Sequence, residues 1–296
     1  MSDRMISAVA AGASVRAFAC TTRELTEKCR QIHNCSPVMT AAMGRLMSAG
    51  VMMGSMMKGE KDRLTLQIAG DGPAGTLTVT ADAMGNVKAT ADECGVVIPA
   101  KPNGKLDVSG AIGAGTLTVI RDLGLKEPYN GTVPLQTGEI AEDLTYYYAA
   151  SEQIPSAVGL GVLMNRDNTV SKAGGFIVQL LPFAPDDVLE HLEENLKKLP
   201  SVTEMLSITE TPEYLLERVL EGFDIEVTEH SECRYRCDCS RERLERVLVS
   251  LGEQELEGLI AEQHGAEINC HFCGSRYAFS EEELRALLQE SRKKAR

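Results

Sequence analysis

No apolar run in this 296-residue chain reaches the length of about 18 residues that a membrane-spanning helix needs. The stretch Met5 to Ala13 is too rich in alanine and glycine to read as a signal peptide, so a cytoplasmic protein is expected. Basic residues are also short: 30 Lys and Arg stand against 43 Asp and Glu, a net charge of −13. A chain with that balance offers no concentrated cationic surface for nucleic acid. Tryptophan is absent and aromatic residues are only 4%, yet 43% hydrophobic and 25% charged residues remain ordinary for a soluble globular protein. Nine cysteines cannot all pair, which argues against a secreted disulfide framework.

The negative charge is unevenly placed. Residues 1–180 hold 16 bases against 17 acids and residues 231–296 hold 11 against 13, whereas residues 181–230 hold 3 against 13. Composition therefore divides the chain into an N-terminal part (1–180), an acidic middle (181–230) and a C-terminal part (231–296).

In the first part, period-two alternation and Gly-rich turns predict strands at Val15–Cys20, Leu64–Ala69, Thr76–Asp82, Val87–Thr90, Thr116–Arg121, Ala157–Met164 and Gly175–Leu181. Asn165-Arg166-Asp167-Asn168 reads as the turn of a hairpin between the last two. Thr21-x-x-Glu24 reads as a capping box before Leu25, Cys29 and Ile32 at helical spacing, and 140–150 as a further helix. The fold class expected is α+β, a mixed N-terminal domain with a mostly antiparallel sheet. Ala-Gly-Thr-Leu-Thr-Val occurs at 74–79 and again at 114–119, which points to equivalent strands. From Ser36-Pro37 a methionine-rich segment runs through Met39, Met43, Met47, Met52, Met53, Met56 and Met57. Its apolar composition favours a buried helix, with Gly44, Gly50 and Gly54 allowing close approach; an adaptable binding face is the competing reading.

The acidic middle reads as short amphipathic helices. Pro185-Asp186-Asp187 opens one that carries Leu189, Leu192 and Leu196 and ends at Lys197-Lys198; Thr211-Pro212 opens another with Leu215, Leu216, Val219 and Leu220. Such helices hold only while docked, which marks this segment as the one to loosen first. In the C-terminal part, Leu244, Val247, Leu248 and Leu251 mark a helix, Leu256, Leu259 and Ile260 another. Ser280-x-x-Glu283 is a capping box, and Ile268 and Tyr277–Phe279 are short strands.

Four of the nine cysteines are clustered as Cys237-Asp238-Cys239 and Cys270-His271-Phe272-Cys273, thirty residues apart. Two short-range pairs brought side by side supply the four soft ligands of a tetrahedral zinc site. A structural zinc contributes on the order of 10 kcal/mol to a small module, and a domain this small has need of such a staple. Cysteines two or three apart can also join each other when an oxidant displaces the metal, so metal and disulfide are alternative states of the same sulfurs. Arg234, Arg236, Arg241 and Arg276 are candidates to offset the thiolate charge, surface solubility being the other reading.

Arg-Cys237-Asp-Cys239-Ser-Arg-Glu-Arg and Cys270-His-Phe-Cys273 resemble the signature of the 33 kDa chaperonin family of redox-regulated heat-shock chaperones. Lys105-Leu-Asp-Val, Arg121-Asp-Leu-Gly-Leu, Tyr146-Tyr147, Ser151-Glu-Gln-Ile-Pro155-Ser and Ala173-Gly-Gly-Phe-Ile-Val-Gln-Leu180 extend the resemblance over nearly the whole chain. It implies an N-terminal α/β core domain, a helical linker and a small C-terminal zinc-binding domain. It implies no enzyme but an ATP-independent holdase, inactive when reduced with one Zn²⁺ on Cys237, Cys239, Cys270 and Cys273. Oxidation would form the Cys237–Cys239 and Cys270–Cys273 disulfides, release the metal and unfold the C-terminal domain and linker. The active form, a homodimer, would bind unfolding client proteins.

Cys233 lies outside the family pattern and is a bystander or an alternative thiol. His271 is a spectator beside four available cysteines, and Cys20, Cys29, Cys35 and Cys94 show no pairing signal. A thiol-disulfide oxidoreductase would need a CxxC at a helix N-terminus, whereas Cys273 is followed by Gly274 and a strand. A zinc-ribbon nucleic-acid module would need the basic surface that the chain lacks.

Overall fold

A computed structural model describes residues 2–294, and the chain divides into two compact units between Arg236 and Cys237. Along the first unit run β1 (Arg4–Ala10), β2 (Val15–Thr21), α1 (Arg23–His33), α2 (Pro37–Ser55), β3 (Arg63–Gly70), β4 (Thr76–Ala81), β5 (Asn86–Ala91) and α3 (Val108–Ile112). There follow β6 (Gly115–Asp122), β7 (Tyr129–Pro134), α4 (Ala141–Tyr147) with a wider turn over Tyr148–Glu152, β8 (Ser156–Met164), β9 (Val170–Leu180), α5 (Asp186–Lys198), α6 (Val202–Ile208), α7 (Pro212–Val219), β10 (Ile225–Glu232) and β11 (Arg234–Tyr235). The second unit comprises α8 (Arg241–Leu251), α9 (Glu253–Gly258), β12 (Gly265–Asn269), β13 (Arg276–Ser280) and α10 (Glu281–Lys294).

Two sheets build the first unit, one ordered β10-β1-β2-β9-β8 and the other β11-β5-β4-β3-β6-β7. All pairings in them are antiparallel except β11 with β5. The mixed, mostly antiparallel architecture expected from the sequence is the one observed. The repeated Ala-Gly-Thr-Leu-Thr-Val segments are β4 and β6, and they flank β3 symmetrically. Leu66 faces Val79 on one side and Val119 on the other, and Ile68 faces Leu77 and Leu117. Two like strands therefore present the same alternation to one shared neighbour.

Helix α2 packs against strands of both sheets. Met39, Met43, Leu46, Met47 and Met52 are all fully buried, which decides for the core reading of the methionine segment. A helix apolar all round has no face to give to water. Its glycines permit the contact, since a Cβ at Gly44 would come 2.6 Å from Thr26 Cγ2 and one at Gly50 2.8 Å from Val79 Cγ1. Ser36 caps the helix by accepting from the Met39 amide at 3.3 Å.

The hairpin turn at 165–168 closes through Asn165 N–H to Thr169 C=O at 2.8 Å. The capping box expected at Thr21 does not form, because Thr21 stays in β2 and Thr22 makes no side-chain cap. Buried Asp3 takes that place, its Oδ2 accepting from the Leu25 amide at 2.7 Å; a carboxylate is well suited to a helix N-terminus.

The other face of the β1-β2-β9 layer carries Ile6, Ala8, Val15, Ala17, Ala19, Phe176 and Val178. Helices α5–α7 cover it with Leu192, Val202, Met205, Leu206, Leu215, Leu216 and Val219. The strands β1, β2 and β9 are thus covered on both faces, so β1 shows a near-continuous apolar run instead of alternation and escapes a period-two reading. The acidic residues 181–230 form this helical layer and most of an exposed, charged edge strand, β10. The compact units part at 236/237 and not at 230/231, because β10 pairs with β1 and Arg234-Tyr235 pairs with β5.

Candidate metal centre

In the second unit, Leu248, Leu256, Ile260, Phe279, Leu284, Leu287 and Leu288 form a core of only a few side chains. Two local structures carry the cysteine pairs beside it. Cys237-Asp238-Cys239 precedes α8, whose cap Ser240 accepts from the Arg243 amide at 3.2 Å, while Asp238 pairs with the Arg243 guanidinium. Cys270 to Cys273 make a knuckle between β12 and β13. The Cys270 carbonyl accepts from Gly274 N–H at 2.8 Å, the Cys270 N–H donates to Ser275 C=O at 2.9 Å, and Gly274 supplies the left-handed φ of +69°. The strand pairing Asn269 to Arg276 holds the knuckle closed. Both short strands, both helices and the Ser280–Glu283 capping box expected from the sequence are present.

These elements gather the sulfurs of Cys237, Cys239, Cys270 and Cys273 within 4.8 Å of one another, all partly buried. Cys237 Sγ lies 3.7 Å from Cys270 Sγ, and Cys239 Sγ 3.3 Å from Cys273 Sγ. Sulfurs about 2.3 Å from a tetrahedral zinc would stand about 3.8 Å apart, so the donor set and its spacing fit that ion. Tyr277 was legible only as a strand residue, yet its hydroxyl lies 3.2 Å from Cys239 Sγ and donates to the Cys239 carbonyl at 3.3 Å. The Ser275 hydroxyl lies 3.2 Å from Cys273 Sγ.

Environment separates the thiols. Partial burial pushes Cys237 and Cys239 up. Burial acts the same way on Cys273, but hydrogen bonds from the Ser275 hydroxyl and backbone, with the neighbouring Cys239, bring it down to about 7. Three of the four candidate arginines pair with carboxylates. Arg241 binds Glu283 at 2.5 Å, donates to the Ala278 carbonyl at 2.9 Å and stacks over the Phe279 ring. Arg234 pairs with Glu232, and Arg276 lies 4.0 Å from Glu267.

His271 is exposed and stands outside the sulfur group. Cys233 belongs to the core of the first unit, with its amide donating to the Asp3 carbonyl at 3.0 Å. The cluster holds four thiols, no helix starts at Cys270, and nothing in it has the form of a dithiol oxidoreductase site.

The sequence profile of the Hsp33 protein family matches residues 3–280. A 33 kDa chaperonin of Lachnoclostridium phytofermentans is 54% identical over 291 residues, spanning 98% of this chain and 100% of the relative. One of Agathobacter rectalis is 54% identical over 287 residues, spanning 97% and 100%. The crystal structure of the 33 kDa chaperonin, or heat shock protein 33 homologue, of Thermotoga maritima superposes with a TM-score of 0.89 at 37% identity, covering 99% of this chain and 100% of that one. Matched end to end in sequence and in fold, and carrying the four-cysteine cluster, the chain belongs to the Hsp33 family, whose members are heat-shock chaperones and not enzymes.

Proposed function

We propose that this chaperone is a redox-regulated, ATP-independent holdase whose C-terminal unit holds one zinc ion on Cys237, Cys239, Cys270 and Cys273 in the reduced state. The observation that carries the reading is the gathering of two sequence-distant thiol pairs within 4.8 Å of one another in a unit with a very small core. Bound zinc would supply the crosslink that such a core lacks. Joining Cys237 to Cys239 and Cys270 to Cys273 transfers four electrons to two equivalents of peroxide and removes every thiolate ligand. Ligation and disulfide formation therefore exclude each other, and the second unit loses its staple on oxidation.

The apolar surface for clients has a candidate in the first unit. Helices α5–α7 mask Ile6, Val15, Ala17, Ala19, Phe176 and Val178. Their acidic outer faces and short lengths leave them dependent on that docking, which makes 181–230 the linker that comes loose. The exposed layer would bind unfolding proteins and support a homodimer, in the cytoplasm, where reducing conditions keep the resting state loaded. Hydrogen peroxide with mild heat should release about one zinc per chain and switch on suppression of aggregation of an unfolding client protein. Zinc release with client aggregation unaffected would overturn the proposal.

A further inference from the structure

Five cysteines lie outside the sulfur cluster, and three of them meet in the first unit. Cys29 is on α1, Cys35 is in the elbow between α1 and α2, and Cys94 is in the irregular segment after β5. Cys29 and Cys35 are core residues of the first unit, and Cys94 packs against that core. The backbones are tied as well, since the Ser36 amide donates to the Cys94 carbonyl at 2.9 Å. That bond sets the backbone segments of Cys35 and Cys94 side by side, the arrangement that a disulfide between them requires. Cys35 is buried, whereas Cys94 is only partly buried and lies between exposed Glu93 and Gly95.

We propose that Cys35 and Cys94 form a second redox couple, which closes as a disulfide under peroxide and braces the first unit. Cys94, the accessible partner, attacks the peroxide; the O–O bond breaks, sulfur keeps one oxygen as a sulfenic acid, and water leaves with the thiol proton. Cys35 then displaces the hydroxyl from that sulfur, forming the S–S bond and a second water. Two electrons pass to the peroxide in all. The bond links the α1–α2 elbow, and so the start of the central methionine helix, to the segment after β5. Crosslinking 58 intervening residues restricts the unfolded chain strongly.

The couple is slow by construction. Contact with Cys29, with burial behind it, pushes the Cys35 thiol up to about 12. Contact with Cys35, and burial, push Cys94 up as well. Thiolate is scarce at both, so the disulfide should form after the four clustered cysteines have reacted.

The test uses the full chain and hydrogen peroxide, with acid quenching, alkylation in denaturant and peptide mapping over time. The expected result is a Cys35–Cys94 crosslink, lighter by two hydrogens and reversed by dithiothreitol, accumulating later than loss of the clustered thiols. Oxidised Cys94→Ala should show no such link, and its first unit should unfold at lower urea than that of the oxidised parent. Cys35 and Cys94 still alkylatable when all four clustered cysteines are oxidised, Cys94 found only as sulfinic or sulfonic acid, or Cys35 joined to Cys29 would each overturn the couple. Equal urea midpoints would overturn the bracing role. Mapping the unmodified chain needs no variant to fold, and its outcome does not depend on zinc or on client binding.

Discussion

Cys239 and Cys273 hold their sulfurs 3.3 Å apart although they belong to different cysteine pairs, and Cys237 and Cys270 repeat the relationship at 3.7 Å. In the folded unit, then, each sulfur has a close neighbour from the other pair, whereas the proposed disulfides lie within each pair. The two connectivities report different orders of events. Oxidation that waits for the unit to unfold should give Cys237–Cys239 and Cys270–Cys273, because one or two intervening residues leave those thiols at the highest effective concentration. Disulfide mapping after peroxide at elevated temperature should find them. A predominance of Cys239–Cys273 and Cys237–Cys270 would show that the bonds form while the unit is still folded.

Cys237→Ser should lose zinc without any oxidant. Removing a direct ligand is expected to weaken metal affinity by more than the roughly 10–100-fold that loss of an outer-shell partner costs. Metal analysis after gel filtration, combined with amide hydrogen exchange, checks this: β12, β13 and α8 should lose protection while the sheets of the first unit keep theirs. Full metal retention would remove Cys237 from the ligand set.

Leu216→Ala should open the masked sheet face under reducing conditions. Leu216 is 1% exposed in the α5–α7 layer, and truncating such a leucine costs about 2–5 kcal/mol. The expected readout is increased binding of an apolar fluorescent dye and partial client protection with zinc still bound. Weaker stability without either gain would locate client binding elsewhere.

Asp3 makes stability depend on pH. Burial pushes its carboxyl up to about 6, against the amides of Leu25 and Glu24, which pull it down. Between about pH 4 and 6 the folded chain holds a proton that the unfolded chain has released, so this group's contribution falls as pH rises through that window and is lowest above it. The difference of about two pH units corresponds to about 3 kcal/mol. Asp3→Asn keeps an acceptor for the Leu25 amide and removes the charge, so it should gain on the parent chain by about 2–3 kcal/mol between pH 4 and 7, measured by urea unfolding at each pH. Parallel pH profiles would show that Asp3 stays ionised in the folded state.

Much of the metal centre was legible because its ligands are paired in sequence. Cys237 with Cys239 and Cys270 with Cys273 announce themselves by spacing, and the strands and capping box around the second pair follow from local pattern. Tyr277 and Ser275 carried no such signal, since their proximity to sulfur arises only when β12 and β13 pair. The same holds for Cys35 and Cys94, whose segments meet through the Ser36–Cys94 backbone hydrogen bond and which no motif links. At the chain's start, Asp3 displaced the expected cap because it arrives from a strand the alternation rule could not see.

Composition and periodicity by themselves determined the fold class, the acidic middle segment, the buried methionine helix and the identity of the four clustered thiols, all of which depend on residues close in sequence. Tertiary structure alone decided that the helices α5–α7 form a layer over a sheet face, that β10 and β11 carry the first unit to Arg236, and that sulfur contacts cross between the pairs. Those are pairings between distant segments, selected by which apolar faces and backbone edges can satisfy each other once the chain is compact.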